Sequence, residues 1–373
     1  MRRPFIVLLG VLVAVVTLAA SLVAQQPRIT NGRLTTQPAR APLPQSFRAI
    51  VGGLTEVAWI GYTVPVFNRR QVMCCFISAS GSGFMSGNIV MSDASGWSPA
   101  VCGIEPNNTE RRAAQATPGP VKLEGAERMA VLFRVAEGRI DRIRTFSEDC
   151  ELDAGGRPVI WLENVQPGDS LALLESLVTP DPDRRERVSN SALSAIGNHQ
   201  DPAANALLER FARRHDSTTV RGEALFWIGQ RNDRNAEAVI LEALDKDPSS
   251  AVRKKAVFAL SQLKDGRGVP ALVRTARDNS EPATRGEAVF WLAQKAGAKA
   301  AAAITERIEQ DPDTEVKKRA VFALSQLPKD EGVPLLIKVA RTNTNPVVRK
   351  QAMFWLGQSR DPRAVDFFAE ILR

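Results

Sequence analysis

Residues that commonly carry catalysis are scarce in this chain of 373 residues. It contains two histidines, His199 and His215, and both lie in its second half. A triad needs a histidine beside its serine or cysteine nucleophile, so a triad built wholly upstream of the second half is excluded. The G-x-x-x-x-G-K-[ST] phosphate-binding motif is also missing. We predict that the protein is not an enzyme and that it binds no cofactor and no metal ion.

Four acidic residues around one cysteine are the strongest remaining candidates for chemistry. They are Glu148, Asp149, Glu151 and Asp153, with Cys150 between them. Closely spaced carboxylates can transfer protons or bind Ca²⁺. Acids clustered around a turn are more often simply solvated, and we favour that interpretation.

All four cysteines, Cys74, Cys75, Cys102 and Cys150, fall in the same part of the chain. An even number of cysteines in an oxidising compartment predicts two disulfides. Because a bond between the neighbours Cys74 and Cys75 would be strained, each should pair with Cys102 or Cys150, in an order that stays open. A four-thiolate zinc site is the alternative, but the C-x-x-C pairs typical of such sites are missing.

An apolar N-terminal segment precedes the elements that must position the cysteines and the acidic residues. Arg2 and Arg3 precede an uncharged apolar stretch, 5–24, so residues 1–24 predict a signal peptide, or a membrane anchor if it is not cleaved. Either outcome places the rest of the chain outside the cytoplasm, in the periplasm or cell envelope or as a secreted protein. Residues 25–46 are rich in Pro, Gln, Thr and Arg and predict a flexible tether.

Residues 47–165 form a predicted β-rich domain, a sandwich or a partly open barrel, which carries the disulfides. The runs that combine β-branched and aromatic residues with a period of two are 56–66, 72–78, 88–91, 129–135 and 140–146. Gly138 should supply the turn of a hairpin between the last two runs, and Gly155-Gly156 marks another turn. The polar stretch 107–120 is expected to be a long loop.

The rest of the chain, 168–373, repeats with a fixed period. An alanine recurs at every 32nd position and marks each copy: Ala192, Ala224, Ala256, Ala288, Ala320 and Ala352. The copies show two apolar stretches with helical spacing, separated by a polar turn. A fixed period of this length predicts an α-solenoid, in which stacked helix pairs bury each other's apolar faces. We expect a leading helix followed by six repeats.

The copies alternate in type, which suggests that the duplicated unit consists of two consecutive copies. One position alternates between large and small side chains: Trp227, Ala259, Trp291, Ala323 and Trp355. The position one turn earlier alternates in charge and ends with a neutral residue: Glu223, Lys255, Glu287, Arg319 and Gln351.

Since positions i and i+4 share a helix face, these two sets predict one ridge along the array. We expect the stems of Lys255 and Arg319 to cover neighbouring Trp rings while their charges meet Glu223 and Glu287. The ridge is either packing between repeats, which we favour, or a Trp-lined surface that binds a partner.

A second set of cations also recurs once in each copy: Arg221, Arg253, Arg285, Lys317 and Arg349. These cations could form a basic stripe for an acidic partner. Polar residues recur with them near the preceding turn, namely Asp247, Asn279, Asp311 and Asn343. We therefore favour an internal ladder in which each cation binds that turn, with a modest energy where it is exposed.

One run connects the repeats to a known family. It is V-R-x-x-A-x-x-x-L, present as Val252-Arg253, Ala256 and Leu260 and again as Val348-Arg349, Ala352 and Leu356. The run resembles the short bacterial HEAT-like repeat that is also found in phycobilisome lyases. The resemblance covers residues 186–373, half of the chain. The lyase activity of some relatives is not implied, because function resides in sites added to a repeat architecture.

Tetratricopeptide repeats are the main rival family. They have a period of about 34 residues and a W-x-x-L-G-x-x-Y pattern. This chain has a single tyrosine, Tyr62, so it does not fit that pattern.

The formal net charge of +8 is mild for a chain of this length. Outside the cytoplasm we expect no nucleic-acid partner, and residues 5–24 are the one segment that would anchor the protein in a membrane, if that segment is not cleaved. The sequence predicts an exported scaffold whose solenoid binds another protein. The alternative is an enzymatic or small-ligand site in the β-rich domain, with the solenoid as a docking arm; a pocket lined by convergent acids would favour it.

Overall fold

The computed structural model of the protein describes residues 28–69, 71–78, 84–90, 97–105, 126–179 and 186–373. The predicted export signal or anchor and the loop expected at 107–120 lie outside these residues. Within the described ranges, no helix is both long enough and apolar enough to cross a membrane.

Strands dominate the first part of the fold, as the sequence predicts. The strands are β1 Arg28–Thr30, β2 Arg33–Pro38, β3 Ala58–Pro65, β4 Gln71–Ser78, β5 Phe84–Val90, β6 Trp97–Ala100, β7 Cys102–Gly103, β8 Arg128–Ala136, β9 Arg139–Ser147, β10 Glu151–Asp153 and β11 Pro158–Glu163. Two helices accompany them, α1 Leu43–Gly53 and α2 Pro167–Ser176. The five predicted runs correspond to β3, β4, β5, β8 and β9.

The strands form one sheet of five and two sheets of three, with the orders β2-β11-β3-β8-β9, β1-β10-β7 and β5-β4-β6. In the large sheet, β11 runs parallel to both β2 and β3, whereas β8 is antiparallel to β3 and β9. β8 and β9 form the predicted hairpin, and both of its turn residues, Glu137 and Gly138, have positive φ. That conformation is the one a tight two-residue hairpin requires.

The large sheet buries its two faces against different layers. On one face, α1 packs on the sheet, and the ring of Phe47 meets that of Phe133 edge-on with centroids 4.9 Å apart. The hydroxyl of Tyr62 is bonded to Ser170 of α2 at 3.0 Å, and burial raises the pKa of this tyrosine. The other face packs on the small sheets through a cluster that includes Trp59, which is the layering of a sandwich.

The described residues begin at Arg28, inside the segment predicted to be a tether. β1 pairs with β10 and β2 pairs with β11, so this segment completes two sheets. Helix α1 follows a Pro-rich stretch and is not indicated by composition. Its residues Leu43, Phe47 and Val51 are spaced four apart, and all three are buried. Residues 28–46 therefore belong to the β-rich domain.

The second part of the fold is an array of six helix pairs. The first helices of the pairs are α3 Glu186–Asn198, α5 Thr218–Arg231, α7 Ser250–Gln262, α9 Pro282–Ala296, α11 Thr314–Ser325 and α13 Pro346–Gln358. The second helices are α4 Ala203–Arg214, α6 Ala236–Lys246, α8 Val269–Asp278, α10 Ala301–Gln310, α12 Lys329–Thr342 and α14 Pro362–Ile371. The six periodic alanines all lie on first helices and are fully buried, as core positions should be.

The first helices begin at residues suited to helix starts. The side chains of Ser217, Asp313 and Asn345 accept hydrogen bonds from backbone N–H groups in the first turns of α5, α11 and α13. Pro282 and Pro346 occupy first-turn positions of α9 and α13, where proline is favoured. Local signals therefore agree with the packing of the array.

The two parts of the fold share one apolar core and join by a short stretch of β pairing. Val66, directly after β3, forms an antiparallel bridge with His199, directly after α3. Beside it, the N–H of Phe67 donates to the carbonyl of Asn198 at 2.7 Å. The β-rich domain therefore packs directly on the first repeat.

Candidate protein-interaction surface

Successive first helices approach closely because small residues lie between them. A Cβ added to Gly222 of α5 would lie 3.1 Å from Cγ of Lys255 on α7. A Cβ on Gly229 would lie 2.8 Å from the carbonyl oxygen of Ala259. The first helices therefore form a continuous layer. We call its outer surface the first-helix face, and it carries three rows of side chains along the array.

The charged row consists of Glu223, Lys255, Glu287 and Arg319. Nζ of Lys255 lies 2.9 Å from Oε1 of Glu223, and a guanidinium nitrogen of Arg319 lies 3.9 Å from Oε2 of Glu287. The charges thus meet between neighbouring repeats, as expected. The two stems, expected on Trp rings, lie against Gly222 and Gly286, because a glycine one position before each acid leaves room for them.

The aromatic row is a continuous ladder of eight rings. In order of contact they are Trp227, Phe226, Phe258, Trp291, Phe290, Phe322, Trp355 and Phe354. Phe226 and Phe258 stack with their planes 5° apart and their centroids 5.9 Å apart. Phe290 and Phe322, two copies further along, stack in the same way at 6.1 Å. Most of these rings are half-buried, so their exposed edges form an apolar stripe across the first helices.

The three tryptophans of the aromatic row differ in environment. Trp227 is nearly buried and packs so tightly on Gly197 that an added Cβ would lie 2.1 Å from the indole ring. Nε1 of Trp291 donates to Oε1 of Glu287 at 2.8 Å, which joins the aromatic row to the charged row. Trp227 therefore belongs to the core, whereas Trp291 and Trp355 are half-exposed members of the face.

The amide row consists of Gln230, Gln262, Gln294, Gln326 and Gln358. Nε2 of Gln230 donates to Oε1 of Gln262 at 3.3 Å, so this row also has a contact between repeats. The side chains of Gln294 and Gln358 are exposed and have no hydrogen-bond partner among the described residues. Their amides are therefore available to a bound molecule. The sequence pattern placed these glutamines at the repeat period but did not reveal that they flank the rings.

The second set of periodic cations is engaged within the array. Backbone carbonyls at the turn before each helix accept hydrogen bonds from Arg221, Arg253, Arg285 and Arg349, and Lys317 donates to the carbonyl of Glu309 in the last turn of α10. Arg285 also donates to both carboxylate oxygens of Asp311, each at 2.8 Å. Burial by itself would raise the pKa of Asp311, but the hydrogen bonds and charge of Arg285, the backbone N–H of Asp313 and the charge of Arg307 together outweigh burial and hold that pKa below its usual value. These cations form the internal ladder rather than a free basic stripe.

A buried arginine holds the junction between the β-rich domain and the repeats. Arg231, at the end of α5, donates to the carbonyls of Gly197 at 3.0 Å and His199 at 2.6 Å. Its guanidinium lies over the ring of Phe67, 4.2 Å from the centroid. Burial lowers the pKa of Arg231 to about 10 and that of His199 to about 4. His199 is therefore a neutral, structural residue at neutral pH.

The cysteines form two disulfides, Cys74–Cys150 and Cys75–Cys102. The expectation that neighbouring cysteines would not bond to each other is confirmed, and the pairing is now defined. Cys74, Asp149 and Cys150 are close enough together to share a metal ion, but both sulfurs are engaged in the disulfide. Two disulfides are consistent with an oxidising environment.

Grooves recur between the ends of consecutive second helices. Their volumes are about 400 Å³ between α4 and α6, about 600 Å³ between α6 and α8, and about 280 Å³ between α10 and α12. Mixed charges line them, including Lys246 in the first, Arg274 and Asp278 in the second, and Lys338 in the third. Because the grooves repeat with the helices and mix both signs of charge, none of the three singles out one ligand.

The six stacked helix pairs of the second part of the fold form an α-solenoid. Residues 205–293 and 301–373 match the family model of HEAT repeats. The helical array of this protein is therefore built of HEAT repeats, as the resemblance of its repeated run implies. HEAT arrays commonly provide surfaces for protein interaction.

Several solved structures are similar to part of the chain. Human deoxyhypusine hydroxylase in complex with glycerol is 21% identical over 55% of this chain and 89% of its own, with a TM-score of 0.24. The complex of CpcE and CpcF of phycocyanin lyase from a Nostoc species is 20% identical over 55% of this chain and 81% of its own, with a TM-score of 0.31. Kap121p is 12% identical over 52% of this chain and 25% of its own, with a TM-score of 0.34. The chain has no match among curated proteins.

Proposed function

We propose that this protein is an exported scaffold whose HEAT repeats bind another protein of the cell envelope through the first-helix face. The observation that carries the proposal is the aromatic row. Eight rings in unbroken contact leave a half-exposed apolar stripe between charged and amide rows. Apolar patches of this kind on soluble proteins mark interaction sites.

The composition of the face supports binding rather than catalysis. Aromatic rings supply most of the energy of protein interfaces, and polar groups at the rim supply orientation. The charges of Glu223 and Lys255 are paired with each other, and Gln294 presents an exposed amide. We therefore assign the face a role in recognition and assign the protein no reaction.

Two features support export. The apolar stretch at residues 5–24 follows two arginines, as in secretory signals. The disulfides Cys74–Cys150 and Cys75–Cys102 are of the kind that form and persist in oxidising compartments. We place the β-rich domain and the repeats outside the cytoplasm on these grounds.

Site-specific photo-crosslinking in cells that export the protein tests the proposal. A photoreactive residue at Gln294 samples the first-helix face, and the same residue at Arg274, exposed on α8, samples the second helices. We expect a discrete protein adduct from position 294 and none from position 274. Adducts from position 274 alone, or from neither position, would contradict the assignment of the face.

A further inference from the structure

We propose that Arg142 and Arg144 of β9 bind a tetrahedral oxyanion of the phosphate class at the edge of the large sheet. A free phosphate ion and the phosphate of a lipid head group supply the same chemistry. The site lies in the β-rich domain and does not depend on the first-helix face. Three features carry the inference: the position of the two arginines, their lack of acidic partners and the fixed orientation of one of them.

Arginines gather on one face of the large sheet at its β9 edge. β9 is the outermost strand, and Arg142 and Arg144 lie two positions apart on it. Because successive side chains of a strand alternate between faces, these two lie on the same face. Arg134 of β8 lies directly opposite Arg142 in the register. Like charges in opposed positions destabilise a sheet, so these neighbouring guanidinium groups are favoured where negative charge is close by.

Two acids near this cluster are already engaged by Arg134. Glu105 accepts hydrogen bonds from Nε1 of Trp59 at 2.7 Å and from Nε of Arg134 at 3.3 Å. Asp141 forms an ion pair with the same arginine. The side chain of Arg142 is half-buried and has no hydrogen bond or ion pair with any residue that the structure describes. Arg134 is therefore neutralised, whereas the charge of Arg142 is not.

Arg144 is held in a fixed orientation but is not neutralised. It donates to the carbonyl of Gly103 on β7 at 2.5 Å, and its guanidinium lies over the ring of Phe146, 4.7 Å from the centroid. Burial and the charge of Arg142 lower the pKa of Arg144 to about 10. A guanidinium has several N–H donors, so the bond to Gly103 leaves others for a ligand. A donor that is already ordered loses less entropy when it binds.

A tetrahedral oxyanion fits a pair of arginines better than a carboxylate does. One guanidinium occupies both oxygens of a carboxylate through two parallel hydrogen bonds. A phosphate has oxygens that point in several directions, so it can accept from two guanidinium groups at once. At the rise of a β-strand, the Cα atoms of Arg142 and Arg144 are about 7 Å apart. Two long side chains at that separation can reach the same ion.

Isothermal titration calorimetry of the full chain with inorganic phosphate at neutral pH is the direct test. We expect saturable binding of a single phosphate, with a dissociation constant of about 1 mM or below. Sulfate has the same shape and should compete with phosphate. Acetate at matched ionic strength is the control ligand, and it should bind at least about tenfold more weakly because one arginine satisfies it.

Three variants on β9 test which groups bind. Arg142→Gln should weaken phosphate binding about tenfold or more, because one of the two guanidinium groups is lost. Arg142→Lys keeps the charge without the planar donor pair and should weaken binding severalfold. Arg139→Gln is the matched control, since it removes a charge from the same strand, but Arg139 pairs with Glu137 on the surface. Its affinity should change less than about twofold. Circular dichroism establishes that each variant is folded.

Vesicles distinguish the source of the phosphate group. The chain is sedimented with vesicles of phosphatidylcholine and phosphatidic acid, and with vesicles of phosphatidylcholine alone. Binding that needs phosphatidic acid, and that Arg142→Gln abolishes, supports a site that takes a lipid head group. Phosphate binding in the calorimeter without vesicle binding supports a site that takes a free ion.

Four results would overturn the inference. They are a titration with phosphate that does not saturate up to about 10 mM, acetate binding as tight as phosphate binding, equal affinities in Arg142→Gln and Arg139→Gln, and an unchanged affinity in Arg142→Lys. The last two would indicate attraction to net charge rather than a built site. None of these results bears on the crosslinking test at position 294, because the arginines of the site lie outside the repeats.

Discussion

Arg285 and Asp311 form a bidentate ion pair that ties the turn before α9 to the turn after α10. Both hydrogen bonds are 2.8 Å long, and the two side chains are 8% and 0% exposed. Arg285 also donates to the carbonyl of Asn279 at 3.0 Å. Each helix pair of this type is therefore clamped at one end by a single guanidinium.

Asp311→Asn should destabilise the array by about 2 kcal/mol, because a buried guanidinium loses its charged partner. The turn itself should survive, since asparagine occupies the equivalent position at Asn279 and Asn343. Asp278→Asn is the control: Asp278 pairs with Arg277 on the surface, where solvent screens the charges, so its loss should cost little. Thermal unfolding followed by helical circular dichroism compares the variants. Equal losses of stability in Asp311→Asn and Asp278→Asn would show that the buried ion pair of Arg285 stabilises the array no more than a surface pair does.

Gly197→Ala and Gly357→Ala make the same change in two first helices, with opposite expected results. An added Cβ at Gly197 would collide with the ring of Trp227, whereas at Gly357 nothing among the described residues lies within 4 Å. Alanine favours helix by about 1 kcal/mol over glycine, so Gly357→Ala should raise the melting temperature. In Gly197→Ala, overpacking against Trp227 should reduce the free energy of unfolding by about 2 kcal/mol and so lower the melting temperature. Melting temperatures that rise in both variants would contradict the packing of Trp227.

Acid should weaken one contact between α7 and α9. The hydroxyls of Ser250 and Thr284, together with the guanidinium of Arg253, lower the pKa of Glu281 from 4.5 to about 2. Because the folded pKa lies below the unfolded one, this stabilisation is complete above pH 4.5 and is lost as the pH falls from 4.5 to about 2. Glu281→Gln should therefore be less stable at pH 7 and should lose less stability over that acid range. An unchanged acid profile would show that Glu281 is not held in this way.

Reduction should loosen the β-rich domain and spare the helices. The disulfides close loops of 76 and 27 residues. Loops of these lengths correspond to about 4 kcal/mol each in the chain-entropy treatment. Trp59 and Trp161 lie in the same cluster as the cysteines, so the near-ultraviolet dichroism should decrease while the helical signal persists. Four free thiols in the denatured, unreduced protein would refute the pairing.

The helical array could be predicted from the sequence because its core repeats at fixed positions. The burial of Ala288 and its five equivalents, the ion pair between Lys255 and Glu223, and the bonds from the cations to the turns all follow from residues that recur in each copy. The Lys255 stem, expected on a Trp ring, lies against Gly222. Gly222 recurs as Gly286 in alternate copies, and that signal indicates where a long stem can lie against a helix.

The unbroken contact along the aromatic row could not be predicted from the sequence. Phe226 stacks on Phe258 at the repeat period, but Phe258 meets Trp291, which lies one position beyond the next equivalent phenylalanine, Phe290. This contact depends on how far each helix is rotated about its axis relative to the next. The repeat period in the sequence does not specify that rotation. In the β-rich domain, Leu34 of β2 lies beside Val159 of β11, and no local pattern signals a parallel pairing between segments so far apart in the chain.

The alternation of repeat types limits how such an array can change length during evolution. Lys255 follows Glu223 and Arg319 follows Glu287, so each acidic copy precedes a basic one. Recombination that inserted or deleted a single copy would bring two acids or two bases side by side, and like charges in that position repel. Exchange of an acidic copy together with the basic copy after it would preserve the order. Viable variants should therefore gain or lose copies in twos.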